Sequence, residues 1–299
     1  MFPAPPVVLT FAASDPSGGA GLQADVMTLS AFGCHALSVL TAVTAQDTRG
    51  IAEIQAVSAS LVEKQARVIL EDIHVDAFKI GVTGSTENIH VIARILAEHA
   101  GVPVVLDPVL ASGRGDPLSG ESVIAALRDV LLPLTLIATP NTLEARRLAA
   151  ADTEDENTLP LNECARRLLA CGCPHVLLTG THENSENVTH RLFDKNGLAR
   201  SSICPRLPGD YHGSGCTLAS ALAAGLAHGL SVGDAASRAL DFTWNSLANA
   251  FRLGKGQLIP SRMTVTNRIN DAKIFANSNP NSNFNSNFCF LPGEKNNVR

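Results

Sequence analysis

Apolar and polar positions alternate along this chain with two distinct periods. Short runs rich in Val, Ile and Leu, bounded by Gly, Pro, Asp or Asn, predict strands at 7–12, 36–41, 51–57, 77–81, 104–107, 135–138 and 175–179. Between them, apolar residues recur every three to four positions and predict helices at 19–32, 60–72, 86–99, 122–131, 143–150 and 161–170. Segments 191–194 and 199–204 predict a hairpin turning at Asn196-Gly197, a dipeptide suited to the positive φ angles of a two-residue turn. Two further helices, 216–228 and 233–253, close the pattern. Strands alternating with helices imply a mostly parallel sheet covered on both faces, because parallel neighbours need crossover connections.

Beyond about residue 273 the pattern stops. Residues 277–283 read Asn-Ser-Asn-Pro-Asn-Ser-Asn and lack the apolar positions needed to bury a core. The chain therefore divides into one α/β domain, 1–273, and an Asn/Ser-rich tail, 274–299, expected to be disordered. No internal repeat or linker divides the first part.

Composition narrows the function classes. The 299 residues are 45% hydrophobic, 17% charged and only 4% aromatic, with a net charge of −5. Few aromatics and an acidic balance supply neither stacking platforms nor a basic field, which argues against nucleic acid. No cluster of Lys or Arg marks a membrane surface patch, and the longest apolar runs are too short to span a bilayer. The seven cysteines are odd in number and lack the paired spacing of a zinc site. Reduced thiols and a first segment without a basic n-region lead us to expect a cytoplasmic protein acting on small molecules.

In such folds ligands gather at the carboxyl ends of strands. Ser14-Asp15 follows the first predicted strand, Asp107 ends 104–107 and Asn141 follows 135–138. His212-Gly213-Ser214-Gly215-Cys216-Thr217 marks a helix start, where unpaired N–H groups and the helix dipole attract anions. Its glycines let a phosphate approach the backbone. The same field is expected to lower the pKa of Cys216. An anion cradle beside an activated base suits phosphoryl transfer to a hydroxyl; the same residues also suit a tight turn capping a buried helix.

Other candidates are weaker taken singly. Gly18-Gly19-Ala20-Gly21 lacks the Gly-Lys-Ser/Thr of a P-loop and the spacing of a dinucleotide fingerprint, so it reads as a sharp turn close to substrate. Asp25, about one helical turn further on, is either a substrate-binding carboxylate or a solvated one. The Gln46 amide, following a strand, can read the edge of a heterocycle. Asn141 and Glu144 have the spacing of a capping box, and Glu144 together with Asp107 can also hold a hydrated Mg2+.

Taken together, these blocks resemble the ribokinase-like superfamily and, within it, the hydroxymethylpyrimidine/phosphomethylpyrimidine kinases of thiamine biosynthesis. The resemblance runs from about residue 7 to 253. It rests on 14–25, 44–50, Lys79-Ile80-Gly81, Leu106-Asp107-Pro108-Val109, 115–118, 139–144 and 212–218. It implies a three-layer α/β/α sandwich with a central, mostly parallel sheet. It also implies ATP with Mg2+ as donor, 4-amino-5-hydroxymethyl-2-methylpyrimidine or its monophosphate as acceptor, and a homodimer. By this resemblance Asp25 and Gln46 bind the pyrimidine, with Gly81 and Ala13 at its pocket. Gly213, Ser214, Gly215 and Cys216 form the anion hole, Cys216 takes the hydroxymethyl proton, and Asp107 and Glu144 serve the metal. Asn141, Thr179 and Arg114 lie on the ATP side.

Departures from the family pattern matter. Thr179 stands where relatives carry a lysine that contacts the ATP phosphates, and Arg114 is a candidate replacement for that charge. Ala13 replaces a usual glycine, and Val82-Thr83 replaces a usual Met-Leu. The alternatives are a pyridoxal or pyridoxine kinase, whose substrate also bears hydroxymethyl groups, and a catalytically weak regulatory protein that binds pyrimidine phosphate.

Overall fold

The computed structural model describes residues 3–111, 120–151 and 155–263, and the backbone of Cys289–Pro292. The chain runs β1 (Val7–Ala13), α1 (Gly21–Ala31), β2 (His35–Asp47), β3 (Gly50–Ala56), α2 (Ala59–Asp72), β4 (Ala77–Ile80), α3 (Thr86–Glu98) and β5 (Val104–Leu106). It continues through α4 (Glu121–Ala126), β6 (Ile137–Ala138), α5 (Thr142–Ala149), α6 (Leu161–Ala170), β7 (His175–Leu178), β8 (Asn187–Asp194) and β9 (Gly197–Pro205). The helices α7 (Ser214–Ala227) and α8 (Val232–Ala248) follow.

One sheet carries the fold, in the order β10-β9-β8-β7-β6-β5-β4-β1-β2-β3, where β10 is Cys289–Pro292. The strands from β7 through β6, β5, β4 and β1 to β2 are parallel, while both flanks are antiparallel. Strand alternation sends side chains to two cores. Leu9, Phe11, Phe78 and Ile80 pack under α2 to α6. Val8, Ala77, Val105 and Ile137 pack under α1, α7 and α8. This is the three-layer α/β/α arrangement expected from the sequence.

Three boundaries differ from expectation. Strand β2 continues through Thr44, Ala45 and Gln46, because β3 pairs back onto it from Ala42↔Ala56 to Asp47↔Gly50. Helix α8 stops at Ala248 rather than 253, and Phe251 instead pairs antiparallel with Ile259. Within the tail expected to be disordered, Cys289–Pro292 pairs with β9. An open strand edge offers unpaired N–H and C=O groups that a short segment can satisfy.

The connection leaving β1 passes to β2 and β3 on one side, then returns through α2 to β4 on the other. The strand order therefore reverses between β1 and β4, the place where a doubly wound sheet opens a crevice at its carboxyl edge.

Candidate active site

Two glycine turns meet at that crevice. The first follows β1 and is folded by the Asp15 carboxylate, which is closed to solvent. It accepts from the Ser17 N–H at 2.8 Å, the Ser17 hydroxyl at 3.0 Å, the Ala20 N–H at 2.7 Å and His212 Nε2 at 2.8 Å. Burial alone would raise the Asp15 pKa; the bonds from His212 and Ser17 outweigh it and hold the carboxyl below its usual value. Asp15 is thus the organiser of this loop, and His212 ties it to the second turn.

The second turn starts α7. Gly213 is the residue before the helix, with φ 75° and ψ 24°, a left-handed conformation favouring glycine. A Cβ there would fall 2.1 Å from the Gly19 carbonyl oxygen and 2.8 Å from Ala20 Cα, so the two turns touch backbone to backbone. The Gly213 carbonyl accepts from the Thr217 N–H at 3.0 Å and the Thr217 hydroxyl at 2.8 Å. The first N–H groups of α7, those of Ser214, Gly215 and Cys216, have no carbonyl within the helix to bond.

Around this helix start lie Cys216, Asp107 and a buried ionic network. Asp107 follows β5 and is 3% exposed, and a Cβ on Gly215 would lie 3.5 Å from its Oδ1. Its Oδ2 has no hydrogen-bond partner among the described residues and lies 3.8 Å from Lys79 Nζ. Burial raises the Asp107 pKa, Lys79 opposes and Asp25 adds to the rise. Lys79, on β4, is completely enclosed and donates to Asp25 Oδ1 at 2.9 Å and Oδ2 at 3.0 Å. Asp25 also accepts from the Thr10 hydroxyl at 2.7 Å and the Ser220 hydroxyl at 2.8 Å. The ammonium stays charged, because Asp25, Cys216 and Asp107 together overcome the burial that disfavours it.

These contacts revise three expectations. Asp25 is not a solvated carboxylate: it is 0% exposed, and in the unliganded protein its oxygens accept from Thr10, Lys79 and Ser220. Gly81 is buried and its N–H bonds to the Phe11 carbonyl; a Cβ there would strike Lys79 Nζ at 2.8 Å, so its role is to make room for that ammonium. The Cys216 pKa is not lowered in the unliganded protein. Burial pushes it up to about 12, with Asp107 and Asp25 adding to the rise, against Lys79 and the Gly21 N–H. Partial burial and two carboxylates outweigh the helix end.

Of the remaining candidates, Ala13, Asn141 and Thr179 lie at or just past strand ends, whereas Gln46 falls within β2 rather than after a strand. Ala13 ends β1 and is 4% exposed. Gln46 is half-buried on β2, with no side-chain hydrogen bond among the described residues. Asn141 caps α5, accepting from the Leu143 and Glu144 N–H groups at 2.9 Å each, while Glu144 Oε2 accepts from the Asn141 N–H at 2.9 Å. Burial and the nearby Asp107 raise the Glu144 pKa to about 8, against hydrogen bonds from the Asn141 and Leu110 backbone. Thr179, 8% exposed, follows β7 and forms a parallel bridge with Asn141. Arg114 lies outside the described residues.

Asp107 and Glu144 are hard oxygen donors whose acids are both shifted upward, and one buried oxygen of Asp107 is unpaired. That donor set fits a divalent cation that retains most of its water. Among the described residues no group of three or more His, Cys, Asp or Glu is gathered to hold a metal by itself. Beside the first glycine turn a groove of about 340 Å³ opens between Ser17, Asp47, Thr48, Arg49 and Lys255.

The sequence pattern of this site has a known counterpart. The family model described as phosphomethylpyrimidine kinase matches residues 15–261, which include both glycine turns. The chain belongs to this family. A relative named hydroxymethylpyrimidine/phosphomethylpyrimidine kinase, from Streptomyces coelicolor, is 40% identical over 253 residues, covering 84% of this chain and 92% of the relative. The Escherichia coli protein of the same name is 38% identical over 251 residues, covering 83% and 93%. Among solved structures, the phosphomethylpyrimidine kinase of Clostridium difficile superposes with a TM-score of 0.69 at 32% identity, covering 81% of this chain and 99% of that one. The pyridoxal kinase of Staphylococcus aureus, solved with pyridoxal, reaches a TM-score of 0.78 at 26% identity over 89% and 96%. The phosphomethylpyrimidine kinase family thus accounts for the fold and for ATP-dependent kinase activity.

The local pattern gives Lys79 no role of its own and does not mark Thr10 or Ser220. A lysine inside the apolar run Ala-Phe-Lys-Ile was the available signal, since an unpaired charge there would be prohibitive. No local pattern marks Arg262 either.

Proposed function

We propose that this kinase transfers the γ-phosphoryl group of ATP to the hydroxymethyl oxygen of 4-amino-5-hydroxymethyl-2-methylpyrimidine, to the phosphate of its monophosphate, or to both, in thiamine biosynthesis. The observation that carries this reading is the start of α7, where the N–H groups of Ser214, Gly215 and Cys216 stand beside the Cys216 thiol and Asp107. Those N–H groups hold the oxygens of the transferred phosphoryl group, and Gly213 keeps side chains out of its approach. Gln46, with a free amide at the crevice, orients the pyrimidine edge. Ala13 lines the end of β1 beneath it. Asn141 and Thr179 lie on the ATP side, with Arg114 as the proposed replacement for the absent lysine.

Cys216 is the proposed proton acceptor. In the unliganded protein burial keeps the thiol protonated, so Cys216 accepts the hydroxymethyl proton only as the thiolate, after releasing its own proton to solvent, and Lys79 is the neighbouring charge that favours that anion. A largely dissociative transfer makes little demand on basicity, so positioning and charge stabilisation dominate. Asp107 and Glu144 would hold Mg2+, which when bound neutralises charge on the phosphate oxygens.

The six described cysteines are free thiols, which supports a cytoplasmic location. No helix among the described residues is long and apolar enough to cross a membrane. A homodimer remains part of the proposal, supported by the open edge at β3.

A second reading, a pyridoxal-type acceptor, is favoured by the closer superposition on the Staphylococcus aureus pyridoxal kinase. Parallel product assays with the hydroxymethylpyrimidine, its monophosphate and pyridoxal decide between them. The first reading expects turnover of one or both pyrimidines well above that of pyridoxal; the reverse order overturns it.

A further inference from the structure

Arg262 lies past α8, after Pro260-Ser261, and its side chain is 3% exposed. Its Nε donates to the Thr217 hydroxyl at 2.9 Å, and Nη1 donates to the Gly18 carbonyl at 3.4 Å. Its Nη2 donates to the carbonyl of Gly19 and, at 3.3 Å, to that of Gly213. The guanidinium therefore bridges both glycine turns and the first turn of α7. All four acceptors are neutral. Among the described residues no carboxylate lies within ion-pair distance of Arg262, although burial of a cation normally demands one. The charge is instead felt by Cys216, Asp25 and Asp15, which stand around the same turn.

We propose that Arg262 is a positioning residue of phosphoryl transfer, clamping the Gly213 turn onto the Gly18-Gly19 turn and holding a positive charge, with no carboxylate bonded to it among the described residues, behind the N–H groups that take the phosphoryl oxygens. This rests on the anion-hole reading above. Two physical effects follow from the geometry. A guanidinium on the Gly213 carbonyl polarises the peptide unit whose other end is the Ser214 N–H, strengthening that donor. The buried charge also attracts an arriving phosphoryl group, so the site binds anions at less electrostatic cost than neutral backbone alone. A planar fork suits this task, since one side chain must reach several carbonyls in fixed directions.

Arg262→Gln and Arg262→Lys test the idea with two readouts, each after thermal unfolding and circular dichroism confirm a native fold. In the kinase assay, Arg262→Gln is expected to lower kcat by about 100-fold, the scale of losing an oxyanion donor, with KM for ATP changed far less. Arg262→Lys, which keeps charge without the fork, should fall between. Independently of any acceptor, inorganic phosphate is titrated at constant ionic strength with MgCl2 present. Wild type should bind it saturably and Arg262→Gln at least tenfold more weakly. Absence of saturable phosphate binding by wild type, or equal binding by the folded variant, overturns the proposal. So does a kcat within twofold of wild type. If Arg262→Gln does not fold, Arg262→Lys carries the same test, and wild-type values for it in both readouts overturn the proposal. A wild type that binds phosphate yet turns over neither pyrimidine would instead defeat the substrate assignment and leave the Arg262 result standing.

Discussion

Lys79 Nζ lies 2.9 Å from Asp25 Oδ1 with both side chains fully enclosed, and the charges of this pair reach Cys216 and Asp107. Neither side chain is exposed, yet the charges of both act on the thiol and on the carboxylate beside α7. Removing one partner leaves a buried charge without compensation. Asp25→Asn or Lys79→Met alone should therefore destabilise the fold by about 3–5 kcal/mol in urea unfolding. The double variant Asp25→Asn/Lys79→Met should recover part of that loss. A single-variant loss below about 1 kcal/mol would remove the pair from the account of stability.

Cys216 is half-buried at the start of α7, and its replacement leaves the helix intact. Cys216→Ala is expected to unfold at the same temperature as wild type while losing roughly 10²- to 10⁴-fold in kcat, the range for a positioned proton acceptor. Steady-state kinetics with saturating ATP measure it. Turnover comparable to wild type would take the thiol out of the mechanism.

Gly213 and Gly229 share nearly the same left-handed backbone, with φ of 75° and 77°, but only Gly213 is crowded. A Cβ at Gly229 meets nothing within 4 Å. Gly229→Ala should therefore cost about 1–2 kcal/mol for conformation alone, with activity retained. Gly213→Ala must in addition push the Gly19 carbonyl away, so it should lose more stability and nearly all phosphoryl transfer. Equal effects at the two positions would show that contact between the turns is unimportant.

Glu144 gives a pH dependence with a definite sign. Its folded pKa is raised to about 8 from 4.5, so the folded state holds this proton more tightly than the unfolded chain. The protonated group is fully compatible with the fold below pH 4.5; as pH rises towards 8 the unfolded state gains the advantage and stability falls. Glu144→Gln keeps the cap and removes the charge. It should raise the melting temperature of the metal-free protein at pH 8 and change it little at pH 4.5. Adding MgCl2 should stabilise wild type at pH 8 and the variant much less. A variant no more stable than wild type at pH 8 contradicts this assignment.

Much of this architecture is readable from periodicity, because most strands and helices have their own apolar pattern. The exceptions depend on distant partners. Strand β2 reaches Asp47 only because β3 returns against it, and α8 ends where Phe251 finds Ile259. The same division runs through the site. Asp107, Asn141, Glu144 and Gly213 sit at strand or helix ends, and their positions follow from local sequence. The direction of the Asp25 carboxylate does not, since it is fixed by Lys79, 54 positions away. The helix start around Cys216 is legible, but the burial that reverses its expected pKa shift, and the carboxylates that add to it, come from other elements. Arg262 offers no local signal at all; only the meeting of two turns gives it a purpose.

The clamp joins residues from opposite ends of synthesis. Asp15 and His212 are 197 positions apart, and Gly19 and Arg262 are 243 apart. A chain emerging N-terminus first completes β1 and its loop early, yet that loop has nothing to close against until α7 is made, and no guanidinium until residue 262 clears the ribosome. Unfinished chains thus carry most of the strands and helices before the two glycine turns can be joined, so the meeting of these turns is among the late events of folding on the ribosome.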